Sequence, residues 1–296
     1  GLYVAMNTSL LAGARVRFMP GFDLDAILDA MPVSTLMMGV PTFYTRLLGD
    51  ARLTMDRARS MRLFISGSAP LLAETHISFT ERTGHRILER YGMTETNMIS
   101  SNPYDGDRRA GTVGFPLPGT ELCLTEPGTD TPAGAGEVGM IEVRGPNVFK
   151  GYWRMPEKTA EELREDGFFI TGDLGQFDAD GYLSIVGRQK DLIITGGYNV
   201  YPKEIEDVLN DIDGVSESAV YGVADADFGE KIIADVVALP GVQLDTVVLG
   251  TIVSEKLARF KHPRVFRLVD ALPRNAMGKV QKNVLRDSFV DPGAAG

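Results

Sequence analysis

Apolar positions along the chain follow two alternating periods. Runs rich in β-formers, Arg15 to Met19, Thr35 to Val40 and Met61 to Ser66, alternate with segments at helical spacing, Asp23 to Met31, Pro41 to Asp50 and Leu71 to Arg82. This alternation predicts an α/β layer on a parallel sheet. An acidic start at Asp23 and a proline at the first position of 41–50 are expected helix openings. From Gly111 short strands are broken by Gly, Pro and Thr, as in TEPGTDTPAGAGEVG, which predicts hairpin-rich β structure to about Gly187. The pattern changes after Arg188. Pro202 opens a helix whose Ile205, Val208, Leu209 and Ile212 form one apolar stripe. Two strand-like runs follow, SESAVYGV and KIIADVVAL, then a long helix with Leu249, Ile252, Val253, Leu257 and Phe260 on one side and a weaker helix from Lys279 to Phe289. These pieces suffice for a separate small α+β domain of ~100 residues.

The 296 residues are 44% hydrophobic and 24% charged, an ordinary globular composition whose length fits two domains. Thirty Lys and Arg against 40 Asp and Glu leave a net charge of −10, the wrong sign for a protein that tracks a nucleic-acid backbone. No apolar run approaches the ~20 residues of a spanning helix and no signal peptide opens the sequence, so no membrane partner is expected. One cysteine, Cys123, allows no intrachain disulfide and predicts a reducing, cytoplasmic compartment. His76, His85 and His262 lie far apart in sequence without metal-ligand spacing. The apolar opening at Gly1, with no cap or turn ahead of it, reads as the middle of a packed domain and predicts a chain that starts inside a longer protein.

Five stretches carry candidate chemistry. In ISGSAP, Ile65 to Pro70, small residues between a strand and a helix let backbone approach a flat ring or a phosphate, or simply make a tight turn. YGMTE, Tyr91 to Glu95, combines a ring that stacks on a base, a hydroxyl for a phosphate in Thr94 and a carboxylate for Mg²⁺ in Glu95; a polar loop after a strand is the competing account. TGD, Thr171 to Asp173, sets a carboxylate after a glycine turn, suited to a ribose diol or to capping the turn. GRQKDLIITGGYNVYPKEIE, Gly187 to Glu206, packs an Arg, a Lys-Asp pair, an apolar strand, two glycines and a proline-started helix into one segment. PRNAMGKVQK, Pro273 to Lys282, sets Lys279 after a glycine, where an ammonium can reach phosphate or carboxylate oxygens or stay solvated.

In this order the five stretches resemble the adenylate-forming superfamily of acyl-CoA synthetases, peptide-synthetase adenylation domains and luciferases. The resemblance spans nearly the whole chain, and ERYGMTE with PRNAMGKVQKN is most similar to the malonyl-CoA synthetase branch. It implies an α/β fold: the remainder of a large α/β plus β-barrel-like domain over 1–189, α/β to about 115 and β-rich over 116–187, then a small mobile α+β domain over 190–296. It implies an acid-thiol ligase that uses ATP, Mg²⁺ and CoA. A carboxylate attacks the α-phosphate to give an acyl-adenylate and pyrophosphate, and a thiol then displaces AMP. By motif, Gly67, Ser68 and Ala69 line the adenine side with Glu89, Arg90 and Tyr91. Thr94 contacts the α-phosphate and Glu95 the magnesium. Asp173 and Arg188 hold the ribose, Lys279 bridges the attacking carboxylate and the α-phosphate, Lys190 is the hinge, and Gly197 leaves room for the pantetheine arm.

The family's Ser/Thr/Gly-rich phosphate loop has no equivalent in these residues, so the chain is expected to be the C-terminal part of such an enzyme. The resemblance further implies a small dicarboxylic acid as substrate, malonate or methylmalonate, because Arg46, Arg90 and Ser68 match positions associated with a distal carboxylate. Arg46 also suits a solvated helix position. Another short acid, loading of a carrier protein, or a non-catalytic nucleotide-binding fragment are the competing functions. Lys279 on an exposed loop is also a candidate substrate for a protein acetyltransferase.

Overall fold

The computed structural model describes residues 2–19, 21–275 and 278–290. The chain divides into two compact units, Gly1–Thr171 with Gly175–Ile185, and Gly172–Leu174 with Val186–Gly296.

In the first unit, helices and strands alternate as α1 (Thr8–Leu11), α2 (Leu24–Ala30), β1 (Leu36–Gly39), α3 (Pro41–Leu48), β2 (Leu63–Ser66), α4 (Ala73–Thr83), β3 (Leu88–Met93), β4 (Asn97–Ser101) and β5 (Phe115–Pro116). The five strands form one sheet in sequence order. β1 to β3 run parallel, joined through helices, and β4 and β5 turn back antiparallel. α2 starts where the Asp23 carboxylate accepts from the Ala26 amide at 2.9 Å, an N-cap that satisfies one of the orphan donors of the first turn. α4 ends at Gly84 with φ 75°, a conformation that favours glycine. Leu28, Tyr44, Leu47, Phe64 and Phe79 fill the core beside the sheet. Phe79 meets Tyr44 and Phe64 edge-on at 5.3 and 4.9 Å, and each such buried side chain contributes about 1.5–3 kcal/mol.

The expected strand Arg15 to Met19 takes no regular structure, and Val16 and Phe18 are exposed. A strand is held by its neighbours, and β1 pairs only with β2 among the described residues. The β-rich stretch supplies β6 (Glu121–Thr125), β7 (Gly139–Arg144), α5 (Pro156–Glu162), β8 (Phe169–Phe177) and β9 (Leu183–Arg188). These strands form an open sheet in the order β6-β7-β8-β9, and Leu183 of β9 also bridges Gly114 just before β5; no sheet among the described residues closes on itself, so the barrel-like expectation gives way.

The second unit adds β10 (Ile193–Thr195), β11 (Tyr198–Val200), α6 (Pro202–Asn210), β12 (Val215–Asp225), β13 (Gly229–Ala238), α7 (Thr246–Lys256), β14 (Val265–Leu268) and α8 (Lys282–Asp287). Its sheet runs β11-β10-β13-β12, with β14 parallel to β13. The α6 stripe packs as its spacing predicts, with Ile205 and Leu209 fully buried and Val208 and Ile212 against them. The expected long helix stops early. Leu257 is extended at φ −123°, ψ 154°, and Phe260 leaves the helical path to stack on Tyr198 with ring centroids 4.5 Å apart. No helix among the described residues is long and apolar enough to cross a membrane.

Candidate functional site

YGMTE runs from the end of β3 into the turn of the β3–β4 hairpin, and close backbone approach explains its glycine, Gly92. A Cβ at Gly92 would lie 2.1 Å from the Asn97 carbonyl oxygen and 2.9 Å from the Met98 Cα, closer than any side chain tolerates. The register slips between Tyr91 and Gly92, so the hairpin narrows there and turns through Thr94 to Thr96. The 147–149 segment braces this turn from outside. The Phe149 amide donates to the Glu95 carbonyl at 2.7 Å, and the Asn147 side-chain amide donates to the carbonyls of Thr96 at 2.7 Å and Met98 at 3.3 Å. Thr94 is thereby exposed at the tip, and Glu95 is half-buried beside it.

Tyr152 stands in none of the five stretches, yet its hydroxyl lies 3.3 Å from Glu95 Oε1 and also bonds Glu162 Oε2. Burial and the hydrogen bond to Glu162 push the phenol well above its ordinary range, so it stays neutral with one proton for two carboxylates. Lys158 balances Glu162 at 3.1 Å. Glu95 is thus left with unsatisfied acceptor capacity, which suits a divalent cation. No group of three His, Cys, Asp or Glu gathers among the described residues, so a cation held by Glu95 would take further oxygens from a phosphate ligand and water, as Mg²⁺ commonly does.

The ISGSAP turn lies at the C-terminal end of β2, beside β3. Ser68 adopts φ 71°, a left-handed conformation that a non-glycine residue holds only at a cost, and it is exposed. Gly67 packs against Arg90, where a Cβ would sit 3.5 Å from the Arg90 carbonyl oxygen, and Ala69 is half-buried. Glu89 is buried, and its Oε1 accepts from the Leu71 amide at 3.1 Å, so one face of this expected adenine contact holds the turn in place. Tyr91 is 8% exposed and packs with Ile99, Val113 and Ile141, which makes it a wall of the core as well as a candidate ring contact. The hydroxyls of Ser66 and Ser100, whose residues pair in register with Glu89 and Tyr91, are buried with no hydrogen-bond partner.

The two candidate carboxylate-binding arginines differ sharply. Arg90 is half-buried with no described carboxylate as a salt-bridge partner; its Nη2 faces the Met38 sulfur at 3.7 Å. Burial lowers its pKa, a direction that reports the cost of removing the charge from water, and the nearby Tyr44 phenol offsets this only in part. Tyr44 is fully buried and donates to the Ile65 carbonyl at 2.6 Å. Arg46 is exposed and lies over the Phe22 ring at 5.0 Å.

In the second unit, Asp173 and Arg188 come together as a pair, Arg188 Nε to Asp173 Oδ1 at 3.0 Å, the aspartate buried and the arginine exposed. Lys190 is exposed in the short helical turn Gln189–Asp191 after β9. Gly197 has φ 81° in the β10–β11 turn with open space where a side chain would be. Lys279 is exposed and forms no ion pair among the described residues, while its backbone is bonded on both sides to Asn275: its amide donates to Asn275 Oδ1 at 3.0 Å and its carbonyl accepts from the Asn275 amide at 2.9 Å.

Comparison with known proteins places this geometry among its relatives. The chain is 40% identical to the malonate–CoA ligase of Arabidopsis thaliana over 98% of its own length and 52% of that protein. It is 59% identical to the ATP-bound MatB structure of Rhodopseudomonas palustris, with a TM-score of 0.95 over 97% of this chain and 57% of that one. The o-succinylbenzoate CoA synthetase of Bacillus subtilis, solved with its acyl-adenylate intermediate, is 30% identical with a TM-score of 0.86, covering 96% of this chain and 58% of that one. The chain therefore spans about half the length of the relatives it matches. Residues 1–153 match the AMP-binding enzyme family and residues 204–279 its C-terminal domain, and the chain belongs to that family.

Proposed function

We propose that, within a protein of its relatives' full length, this chain takes part in ATP-dependent ligation of malonate or methylmalonate to CoA through an acyl-adenylate. The observation that carries the acid is Arg90, a half-buried guanidinium with no described carboxylate partner, packed against the Gly67 turn. A second substrate carboxylate supplies the missing counter-charge, with Ser68 and Arg46 as further contacts, whereas a long apolar acid would leave that charge unmet.

In the first half-reaction a substrate carboxylate oxygen attacks the α-phosphorus of ATP, the bond to pyrophosphate breaks, and the acyl-adenylate forms. Thr94 and Lys279 contact the α-phosphate oxygens, and Lys279 also meets the attacking carboxylate. Glu95 would hold Mg²⁺, which neutralises phosphate charge. Gly67, Ala69, Glu89 and Tyr91 border the adenine, and the Asp173–Arg188 pair takes the ribose hydroxyls. In the second half-reaction the CoA sulfur attacks the acyl carbon and AMP leaves, with Gly197 admitting the pantetheine arm. The small domain, 190–296, turns about Lys190 between the two. Lys279 is exposed and carries no described ion pair, which suits a protein acetyltransferase. A single half-buried cysteine, Cys123, suits the cytoplasm.

The test is a chimera of the N-terminal half of the R. palustris protein and this chain, assayed for acid-dependent pyrophosphate exchange. Malonate or methylmalonate should exceed acetate and long-chain acids by at least tenfold in kcat/KM. Equal use of monocarboxylic acids would refute the substrate assignment.

A further inference from the structure

The PRNAMGK segment is closed by a side chain that the motif's roles leave unused. Arg274 Nη1 donates to the Gly278 carbonyl at 2.6 Å, directly before Lys279, and its Nη2 pairs with the Glu217 carboxylate on β12. Arg274 also bridges Val280 in antiparallel fashion, and the Gln281 amide donates to the Pro273 carbonyl at 2.8 Å, so the described residues 273–275 and 278–281 pair with each other and Lys279 lies among them. Glu217 stands at an irregularity of its own. The β12–β13 register shifts between Val215 and Glu217, where β12 is bulged. Bulges commonly re-aim a side chain beside a functional site. Both partners keep only about a third of their side-chain surface, 32% for Arg274 and 30% for Glu217, so neither is a freely solvated charge.

We infer that Glu217 and Arg274 form a clamp that positions Lys279 for adenylate formation and takes no part in thioester formation. A lysine at the end of an unclamped loop samples many placements, and a misplacement of about 1 Å costs on the order of 10²-fold when two reacting groups must be aligned. Glu217 fixes one end of the guanidinium fork on the β12 scaffold. The other end holds the Gly278 carbonyl, so the Lys279 backbone has one position while its ammonium stays available. Arginine suits this task because one planar group reaches two acceptors in fixed directions. Both are positioning residues, and the inference rests on the proposed role of Lys279.

The experiment compares Arg274→Ala, Glu217→Gln and Lys279→Ala in the chimera described above. The clamp predicts that Arg274→Ala and Glu217→Gln lower kcat for acid-dependent pyrophosphate exchange by roughly 10- to 50-fold. KM for ATP and malonate and the rate of thioester formation from synthetic malonyl-AMP should stay within about twofold. Added guanidinium should restore part of the exchange to Arg274→Ala. In the chain alone, the Lys279 amide should exchange its hydrogen at least tenfold faster in both variants, with an unchanged melting temperature. Normal exchange kinetics in both variants, alongside an inactive Lys279→Ala, overturn the clamp and leave the lysine assignment standing. Equal loss of both half-reactions overturns it in favour of a scaffold role. Retained exchange in Lys279→Ala removes the reading on which the clamp rests.

Discussion

Replacing Arg90 by Leu separates substrate recognition from folding, because this guanidinium is half-buried without a described carboxylate partner. Its surroundings offer the Met38 sulfur at 3.7 Å and the Tyr44 phenol, neither of which compensates a charge taken out of water. On the proposed reading, a malonate carboxylate would gain a charged hydrogen bond there. Losing one partner of such a desolvated pair costs about 2–5 kcal/mol, or about 30- to 4,000-fold in kcat/KM. Acetate has no second carboxylate, so its kcat/KM should change by less than about threefold. The same substitution removes an uncompensated charge from the fold, so the melting temperature should hold or rise. A gain of about 1 kcal/mol corresponds to about 1–2 °C at this size. The assay is acid-dependent pyrophosphate exchange with malonate and with acetate, alongside calorimetry of the chain. Equal loss on both acids would show that Arg90 serves the nucleotide, and a lower melting temperature would show that it serves the fold; either refutes the reasoning.

Lys279→Ala, or acetylation of Lys279, should lower pyrophosphate exchange by roughly 10²- to 10³-fold and spare thioester formation from malonyl-AMP, as measured in separate half-reaction assays. Lys190→Pro fixes φ at the proposed hinge and should spare one half-reaction but not both, which the same pair of assays reads. Tyr152→Phe removes the hydroxyl shared by Glu95 and Glu162, so the Mg²⁺ concentration for half-maximal exchange should rise by about 3- to 10-fold while KM for malonate holds. Gly92→Ala forces a Cβ to 2.1 Å from the Asn97 oxygen and should destabilise the chain by about 3 kcal/mol or more in urea unfolding, because the obstacle is backbone that cannot move aside.

What the sequence shows clearly is what a few neighbouring residues decide. The α6 stripe depends on helical spacing alone, and Asp23 caps α2 through an amide three residues on, so both are legible in the order of the residues themselves. The apparent helix ends at Lys256, and Phe260 beyond it stacks on Tyr198, a partner that no local period contains. Arg15 to Met19 has the residues of a strand but no described neighbour, and β propensity without pairing does not make one. The site divides the same way. YGMTE and PRNAMGK announce a carboxylate and a lysine, whereas Tyr152 meets Glu95 from 57 residues away and Glu217 meets Arg274 from the same separation. A motif is legible because its residues are neighbours in the chain. Tyr152 and Glu217 reach these motifs from distant segments, and only the folded chain reveals such contacts. Arg46 and Arg90 make the distinction concrete: equivalent as residue types in the sequence, they separate by burial, one lying over an aromatic ring in solvent and the other held half-buried with its charge unmet. That unmet charge, rather than the presence of arginine as such, is what argues for an acid with two carboxylates.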